Sequence, residues 1–477
     1  MPATAEQNDK HTAKVIGVTV AAAVGGFLFG FDSSVVNGAV DAIQGDFELS
    51  DVLIGFSVAV ALLGCAVGAW FAGQLADQIG RKKVMLIGAA LFLASAIGAG
   101  LATGVISLII WRVIGGLGIG IASVIAPAYI AEIAPARYRG ALASTQQLAI
   151  TLGIFAALLS DALLAGAADG AAEQLWFGLE AWRWMFLVGA VPAVVYGLLS
   201  LTIPESPRYL VAKDLDDEAA DVLTRVTGER HPAERIKEIR ITLRRESKSS
   251  FRDIMKKGGG LHPLVWVGIG LAALQQLVGI NAIFYYSTTL WRSVGFSESQ
   301  SFTTSVITAV INVVMTFVAI LFVDRLGRRK LLMSGSAGMF VGLLMACLAF
   351  TQQQGSGDDV TLPGNWGVVA LIGANLFVVC FAATWGPIMW VMLGEMFPNR
   401  MRAVALGLCT AVNWVANFAV SLLFPELTQS VGLGWIYGAF AFFALVSFVF
   451  VRTLVPETKG MELEDMQGST NRTRAEV

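Results

Sequence analysis

Asp32 stands in the stretch Gly25 to Gly38, GGFLFGFDSSVVNG, inside an apolar run from Val15 to Val40 with no basic residue near it in sequence. A carboxylate at membrane depth costs at least ~2.5 kcal/mol on insertion scales. Such an acid is either a functional group on a proton or ion pathway or a structural group satisfied by a neighbouring helix, and both readings require a partner. The chain carries its own control for finding one, because its two halves repeat. Asp77 with Gly80-Arg-Lys-Lys83 recurs as Asp324 with Gly327-Arg-Arg-Lys330. Glu132-x-x-Pro135-x-x-x-Arg139 recurs as Glu395-x-x-Pro398-x-x-x-Arg402, and Pro204-Glu205-Ser206 as Pro456-Glu457-Thr458. In the same frame Gly30-Phe-Asp32 aligns with Gly279-Ile-Asn281, and Arg112 with Asn375. Acid and base occur together in the first half, and amides replace both in the second, which points to Arg112 as the partner of Asp32. Burial disfavours a charged carboxylate, a nearby guanidinium favours it, and arginine does not give up its proton. An acid paired with Arg112 in one conformation and parted from it in another therefore changes its proton affinity with conformation.

The elements that must position these residues are membrane helices. The chain is 56% apolar and only 14% charged, against about 25% charged in a typical soluble protein. Twelve apolar stretches approach spanning length, near 15–40, 52–75, 84–104, 106–131, 141–164, 184–203, 262–290, 301–323, 331–351, 366–392, 401–424 and 434–455, where about 20 helical residues cross a ~30 Å hydrocarbon core. The expected fold is an all-α polytopic membrane protein with an internal duplication of six spans, a construction common among transporters. Its expected divisions are an N-terminal tail over 1–14, a six-helix bundle over 15–207, a helical linker over 208–257, a second six-helix bundle over 258–455 and a C-terminal tail over 456–477. The linker holds 13 basic and 10 acidic residues; its mixed charge favours a solvated helical face, with helices from Asp216 to Thr227 and Ala233 to Lys248, over a helix lying on the bilayer.

Charge sets the orientation. With the N-terminus inside, only Arg183 and Arg292 fall in outer loops, and the first outer loop is wholly acidic, with Asp41, Asp46, Glu48 and Asp51. The positive-inside bias places both termini in the cytoplasm of a multi-pass protein of the cell membrane. Met1 to Lys14 lacks the apolar core and cleavage site of a secretory signal. The repeated charges at the cytoplasmic helix ends, Asp77, Arg81, Glu132 and Arg139 in one half and Asp324, Arg328, Glu395 and Arg402 in the other, serve topology alone or form a charge latch between the halves that releases as they rock.

Other chemistries find little support. Cys65, Cys347, Cys380 and Cys409 all lie in spans without metal spacing, so packing is the better reading. His11, His231 and His262 are scattered, and no metal or cofactor is expected. Gly115-Gly-Leu-Gly-Ile-Gly120 lacks the preceding strand of a phosphate loop and suits close helix packing. Asn471-Arg-Thr473 fits a glycosylation acceptor by chance on a cytoplasmic tail, and neither end of the chain carries a lipidation signal. The net charge of −2 gives no reason to expect nucleic acid. No catalytic constellation suggests an enzyme.

Taken together, the motifs resemble the sugar porter family of the major facilitator superfamily. The residues that carry the resemblance are Gly73-Gln-Leu-Ala-Asp-Gln-Ile-Gly-Arg-Lys-Lys83, Arg112-Val-Ile-Gly-Gly-Leu-Gly-Ile-Gly120, Pro127-Ala-Tyr-Ile-Ala-Glu-Ile-Ala-Pro135 with Arg139-Gly140, Pro204-Glu-Ser-Pro-Arg208, Gln275-Gln-Leu-Val-Gly-Ile-Asn281, Trp385-Gly-Pro-Ile-Met-Trp390 and Pro456-Glu-Thr-Lys-Gly460. They span all but the tails, and the chain resembles bacterial proton-coupled glucose or xylose symporters and is also similar to the animal glucose facilitators. The resemblance implies two six-helix bundles around a central hexose site with alternating access. It carries sugar ligands over to Gln147, Gln275, Gln276, Asn281, Trp390 and Asn413, with Phe381, Gly386 and Trp414 lining the pocket, and it also implies the Asp32–Arg112 pair.

Residue chemistry supports this separately. A neutral sugar offers hydroxyls and C–H faces, so its site wants amides, which donate and accept, beside aromatic rings. Buried amides can instead tie helices together at ~1 kcal/mol or less, a reading that stays open for Gln275 above all. Gly279 permits local unwinding between the glutamines and Asn281. The expectation is a monomeric proton/monosaccharide symporter in the lipid bilayer, with glucose as the sugar. The alternatives are a passive sugar uniporter, a transporter-like sugar sensor and, less supported, a drug/proton antiporter.

Overall fold

The structure, a computed structural model, describes residues 2–133, 139–245, 251–256, 259–354 and 361–458. In chain order the helices of the first half are α1 (Pro2–Asp46), α2 (Asp51–Ile79), α3 (Arg81–Gly100), α4 (Val105–Ile133), α5 (Arg139–Ala168), α6 (Ala181–Val188) and α7 (Ala190–Thr202). A small antiparallel hairpin, β1 (Gln174–Trp176) and β2 (Leu179–Glu180), joins α5 to α6. The linker forms α8 (Pro207–Ala212), α9 (Asp216–Val222) and α10 (Pro232–Arg245). The second half forms α11 (Pro263–Leu277), α12 (Ile280–Arg292), α13 (Glu298–Leu326), α14 (Arg328–Phe350), α15 (Trp366–Cys380), α16 (Gly386–Met396), α17 (Asn399–Ser430) and α18 (Leu433–Leu454).

Among the described residues, 12 helical segments are long and apolar enough to cross a membrane. The first runs from Lys14 to Asp46 and the second from Asp51 to Ile79, longer than the apolar runs alone suggest. At 1.5 Å per residue such helices exceed a ~30 Å core, so they tilt or project beyond it.

The chain separates into two compact units, one of residues 1–48 and 60–247, the other of 49–59 and 248–477. Within the first unit α1 packs along α5 and α3 along α4; within the second, α14 packs against α15 and α18, and α11 against α17. In membranes small residues let helix backbones meet. Gly30 shows how closely: a Cβ there would lie 1.9 Å from the Ile150 carbonyl oxygen of α5.

Two spans of the second unit are discontinuous. Gly279, in the left-handed region at φ 83°, divides α11 from α12. Between α15 and α16 a wide π-type turn over Phe381–Trp385 interrupts the regular helix. The linker helices gather a separate core of Leu210, Val211, Ala219, Leu223 and Ile236. Ser206 caps α8 by accepting from the Arg208 and Tyr209 backbone N–H groups, and Lys14 donates to the Arg225 carbonyl at 3.3 Å, tying α1 to the linker.

Candidate functional site

In the first unit Asp32, on α1, and Arg112, on α4, meet. Arg112 Nη1 donates to Asp32 Oδ2 at 2.9 Å, with 3% and 6% of the respective residues exposed. The Phe186 ring lies 5.9 Å from the guanidinium, a cation–π distance. Arg112 Nε is buried without a hydrogen-bond partner, so one edge of the guanidinium is unspent. Taking two charges out of water is costly, and one good hydrogen bond offsets only part of that cost. A proton on Asp32 would therefore end the ion pair and leave Arg112 as the remaining charge, at the cost of one hydrogen bond.

In the second unit four amides close on one another. Gln275 Nε2 donates to the Trp385 and Gly386 carbonyls at 3.1 and 3.4 Å. Asn413 Nδ2 donates to Gln275 Oε1 at 2.9 Å and to the Ala272 carbonyl at 3.0 Å. Gln276 Nε2 donates to Asn413 Oδ1 at 3.1 Å and to Gln275 Oε1 at 3.4 Å, while Asn281 Nδ2 donates to Gln276 Oε1 at 2.6 Å. The break at Gly279 makes the last contact possible, because it sets the first turn of α12 against the last turn of α11. Gln275, tied to two carbonyls and two amides, serves as a support for its neighbours; Asn281, half-buried, stands at the edge of the group.

The remaining sugar-ligand candidates are more scattered. Phe381 is buried beside Gly386, where a Cβ would lie 3.5 Å from its ring. Trp390 is exposed and Trp414 half-buried in the second unit, and Gln147 is half-buried in the first. Trp385, buried and donating through Nε1 to Ser336 Oγ at 2.9 Å and the Leu332 carbonyl at 3.1 Å, anchors the wide turn that presents Phe381 and Gly386.

The repeated motifs form matching clusters inside each unit. Arg81 pairs with Glu132 and with Asp77, both at 3.0 Å, Ser206 Oγ donates to Glu132, and Glu205 accepts from the Arg81 and Lys82 backbone N–H groups at the start of α3. In the second unit Arg328 pairs with Glu395 at 2.9 Å, Thr458 Oγ1 donates to Glu395 Oε2 at 2.6 Å, and Glu457 accepts from the Arg328 and Arg329 N–H groups. These clusters tie helix ends together within each unit. Glu395 is taken by Arg328 and Thr458, and Arg402 turns its Nε to the Phe397 carbonyl at 3.1 Å. The side chains of Arg139 and Asp324 lie outside the described residues.

Sequence reasoning passed over Asp161 on α5, an acid inside an apolar span that the signal used for Asp32 should have flagged. It also missed an ion cluster at the other helix ends, where Arg183 pairs with Asp46 at 3.1 Å and Glu180 at 2.5 Å. Burial works to raise the Glu180 carboxyl, but the hydrogen bond from its own backbone N–H and the Arg183 guanidinium outweigh it and hold the group below the usual carboxylate range.

Residues 18–469 match a family described as "Sugar (and other) transporter". The chain is 50% identical over 466 residues to a glucose transport protein of Synechocystis sp., covering 98% of this chain and 99% of the relative. It is 32% identical over 492 residues to the D-xylose-proton symporter of Escherichia coli K12, covering 96% of each. The inward open conformation of the xylose transporter XylE from E. coli matches with a TM-score of 0.82 at 32% identity, over 95% of this chain and 99% of that one.

Proposed function

Because the chain belongs to the family of sugar (and other) transporters, we propose that it is a proton-coupled monosaccharide symporter, taking glucose and working by alternating access. The observation that carries the coupling is the buried Asp32–Arg112 contact at 2.9 Å. Protonation of Asp32 removes the charge that holds Arg112, so a conformation in which the two groups part favours the proton, and one in which they meet releases it. Glucose is favoured by the 50% identical relative named as a glucose transport protein, and proton coupling by the relative named as a xylose-proton symporter.

In this reading Gln276, Asn281 and Asn413 bind sugar hydroxyls, Gln275 orients them, and Phe381, Gly386, Trp390 and Trp414 offer surfaces to the C–H face. Gln147, in the first unit, is a further amide suited to sugar hydroxyls. The Arg81–Glu132 and Arg328–Glu395 clusters hold helix ends together within each bundle, through bonds that do not involve α1. Both termini face the cytoplasm of the cell membrane, by the distribution of basic residues.

The test is labelled glucose uptake into proteoliposomes with and without an inward proton gradient. Accumulation above equilibrium is expected only with the gradient, and Asp32→Asn should keep sugar exchange while losing that accumulation. Gradient-driven accumulation by Asp32→Asn would remove Asp32 from the coupling role. Equilibration indifferent to the gradient in the native chain would make it a uniporter.

A further inference from the structure

Asp161 is wholly buried on α5, at 0% exposure. Its Oδ2 accepts from the backbone N–H of Gly38 at 3.3 Å, and its Oδ1 is buried with no hydrogen-bond partner. The surroundings are tight and apolar: a Cβ at Gly38 would lie 2.8 Å from the Asp161 Cβ and 2.9 Å from the Met185 thioether of α6. One turn back along the same face of α1, Ser34 holds another buried, unpartnered oxygen. The elements packed against α5 are α1, α4, α6 and β1. Their ionisable groups near the span are Asp32, Asp41 and Asp46 on α1, Arg112 on α4 and Arg183 on α6. Arg112 is engaged with Asp32, and Arg183 with Asp46 and Glu180; among the described residues no cation lies within ion-pair distance of Asp161.

A carboxylate ion here would have one long hydrogen bond and no counter-charge, and a buried ion so placed takes up a proton instead. We infer that Asp161 is a second proton-binding site, separate from Asp32, filled while α1 and α5 are in contact and emptied when that seam admits water. The inference rests on the reading of the chain as a proton-coupled transporter for its use, though not for its geometry. Gly38 lies six residues beyond Asp32, ~9 Å along the helix axis, and on a different face. One face of α1 thus carries the pair with Arg112 while another rests on Asp161, and a shift of this single helix alters both proton affinities.

The experiment is infrared difference spectroscopy of the lipid-reconstituted full chain across a pH titration, comparing native protein, Asp32→Asn, Asp161→Asn and the double variant. At neutral pH the carbonyl-stretch band of a protonated, buried carboxyl is expected in the native and Asp32→Asn proteins, and its loss in Asp161→Asn. Asp161→Ser serves for the assignment if the asparagine variant does not fold. Absence of such a band from the native protein, or its persistence unchanged in the Asp161 variant, overturns the site. Sugar exchange is measured in parallel. The exchange retained by Asp32→Asn is expected to be lost at alkaline pH and to persist in the double variant; the same alkaline loss in both overturns the role of Asp161. Gradient-driven accumulation by Asp32→Asn sinks the coupling role of Asp32 alone and leaves the Asp161 band to be judged on its own.

Discussion

In the first half α1 runs unbroken through Gly30 and carries Asp32 against Arg112, whereas in the second the matching stretch breaks at Gly279 and carries Asn281 into an amide network. The two glycines hold equivalent places for unlike reasons. Gly30 lets two backbones touch, and Gly279 takes a left-handed conformation that ends one helix and begins another. The matching polar positions diverge in the same way. Arg112 reaches the acid, while its counterpart Asn375 accepts from Thr308 at 3.0 Å and donates to the Leu371 carbonyl at 2.9 Å. At the motif ends, by contrast, Arg81, Glu132, Glu205 and Ser206 repeat nearly bond for bond as Arg328, Glu395, Glu457 and Thr458. The duplication kept its frame and let its two sites part: charge in one half, neutral hydrogen bonding in the other.

The largest expected asymmetry is in the polar pair. Arg112→Leu leaves a buried acid without its cation and should cost about 3–5 kcal/mol, while Asn375→Leu should cost about 1 kcal/mol per lost hydrogen bond. Thermal unfolding in detergent compares them, and Asp32→Asn should recover much of the Arg112→Leu loss. Equal costs would break the contrast between the halves.

The glycines come next. Gly30→Ala drives a Cβ into backbone, with an overpacking cost of about 1–3 kcal/mol, and truncating the Ile150 side chain should not relieve it. Gly279→Ala meets the Phe440 ring at 2.3 Å and adds about 1–2 kcal/mol for the left-handed conformation; Phe440→Leu should restore part of the stability. Rescue in both halves or in neither would show that the two glycines do the same work.

Smaller and equal effects are expected from Glu205→Gln and Glu457→Gln, each about 1–2 kcal/mol for weakened charge-assisted bonds at the α3 and α14 N-termini. A marked inequality between them would mean the frame itself has diverged.

The smallest effect belongs to the second half alone. His262 caps α11 by accepting from the Leu264 N–H at 3.3 Å, and burial, followed by the Lys256 charge, holds its imidazole below the usual histidine value. A lowered value means the neutral form is favoured in the fold. Its contribution is therefore present above the ordinary histidine range and lost as pH falls through the lowered value. His262→Ala should cost about 0.5 kcal/mol above pH ~7 and almost nothing in mild acid, read from unfolding midpoints at the two pH values.

Much of this was legible in sequence because a bilayer writes in simple terms. Apolar length marked the spans, and the repeat singled out Arg112 as the candidate partner of Asp32 before any geometry. The Gly279 break was legible because glycine between polar site residues has few other uses. What escaped depended on packing. The repeat set Glu395 and Arg402 at the spacing of Glu132 and Arg139, yet spacing alone does not say which guanidinium reaches a carboxylate, and Arg328 is the one that meets Glu395. The motif Pro-Glu-Ser or Pro-Glu-Thr was visible as a repeat, but its action, capping one helix and steadying a glutamate on another, required the third dimension. Asp161 was legible as an acid inside an apolar span, but its contact was not, because the group that meets it is a backbone N–H of Gly38 on another helix.

The amide network carries a consequence for how tightly a sugar is held. Gln275, Gln276, Asn281 and Asn413 already donate to one another and to nearby carbonyls, so a hydroxyl arriving at the proposed site exchanges one hydrogen bond for another rather than adding one. The net gain per contact is the small difference between two good bonds. A site built this way recognises its cargo through geometry while holding it loosely. Loose holding suits a carrier, whose turnover depends on letting go as readily as on taking hold.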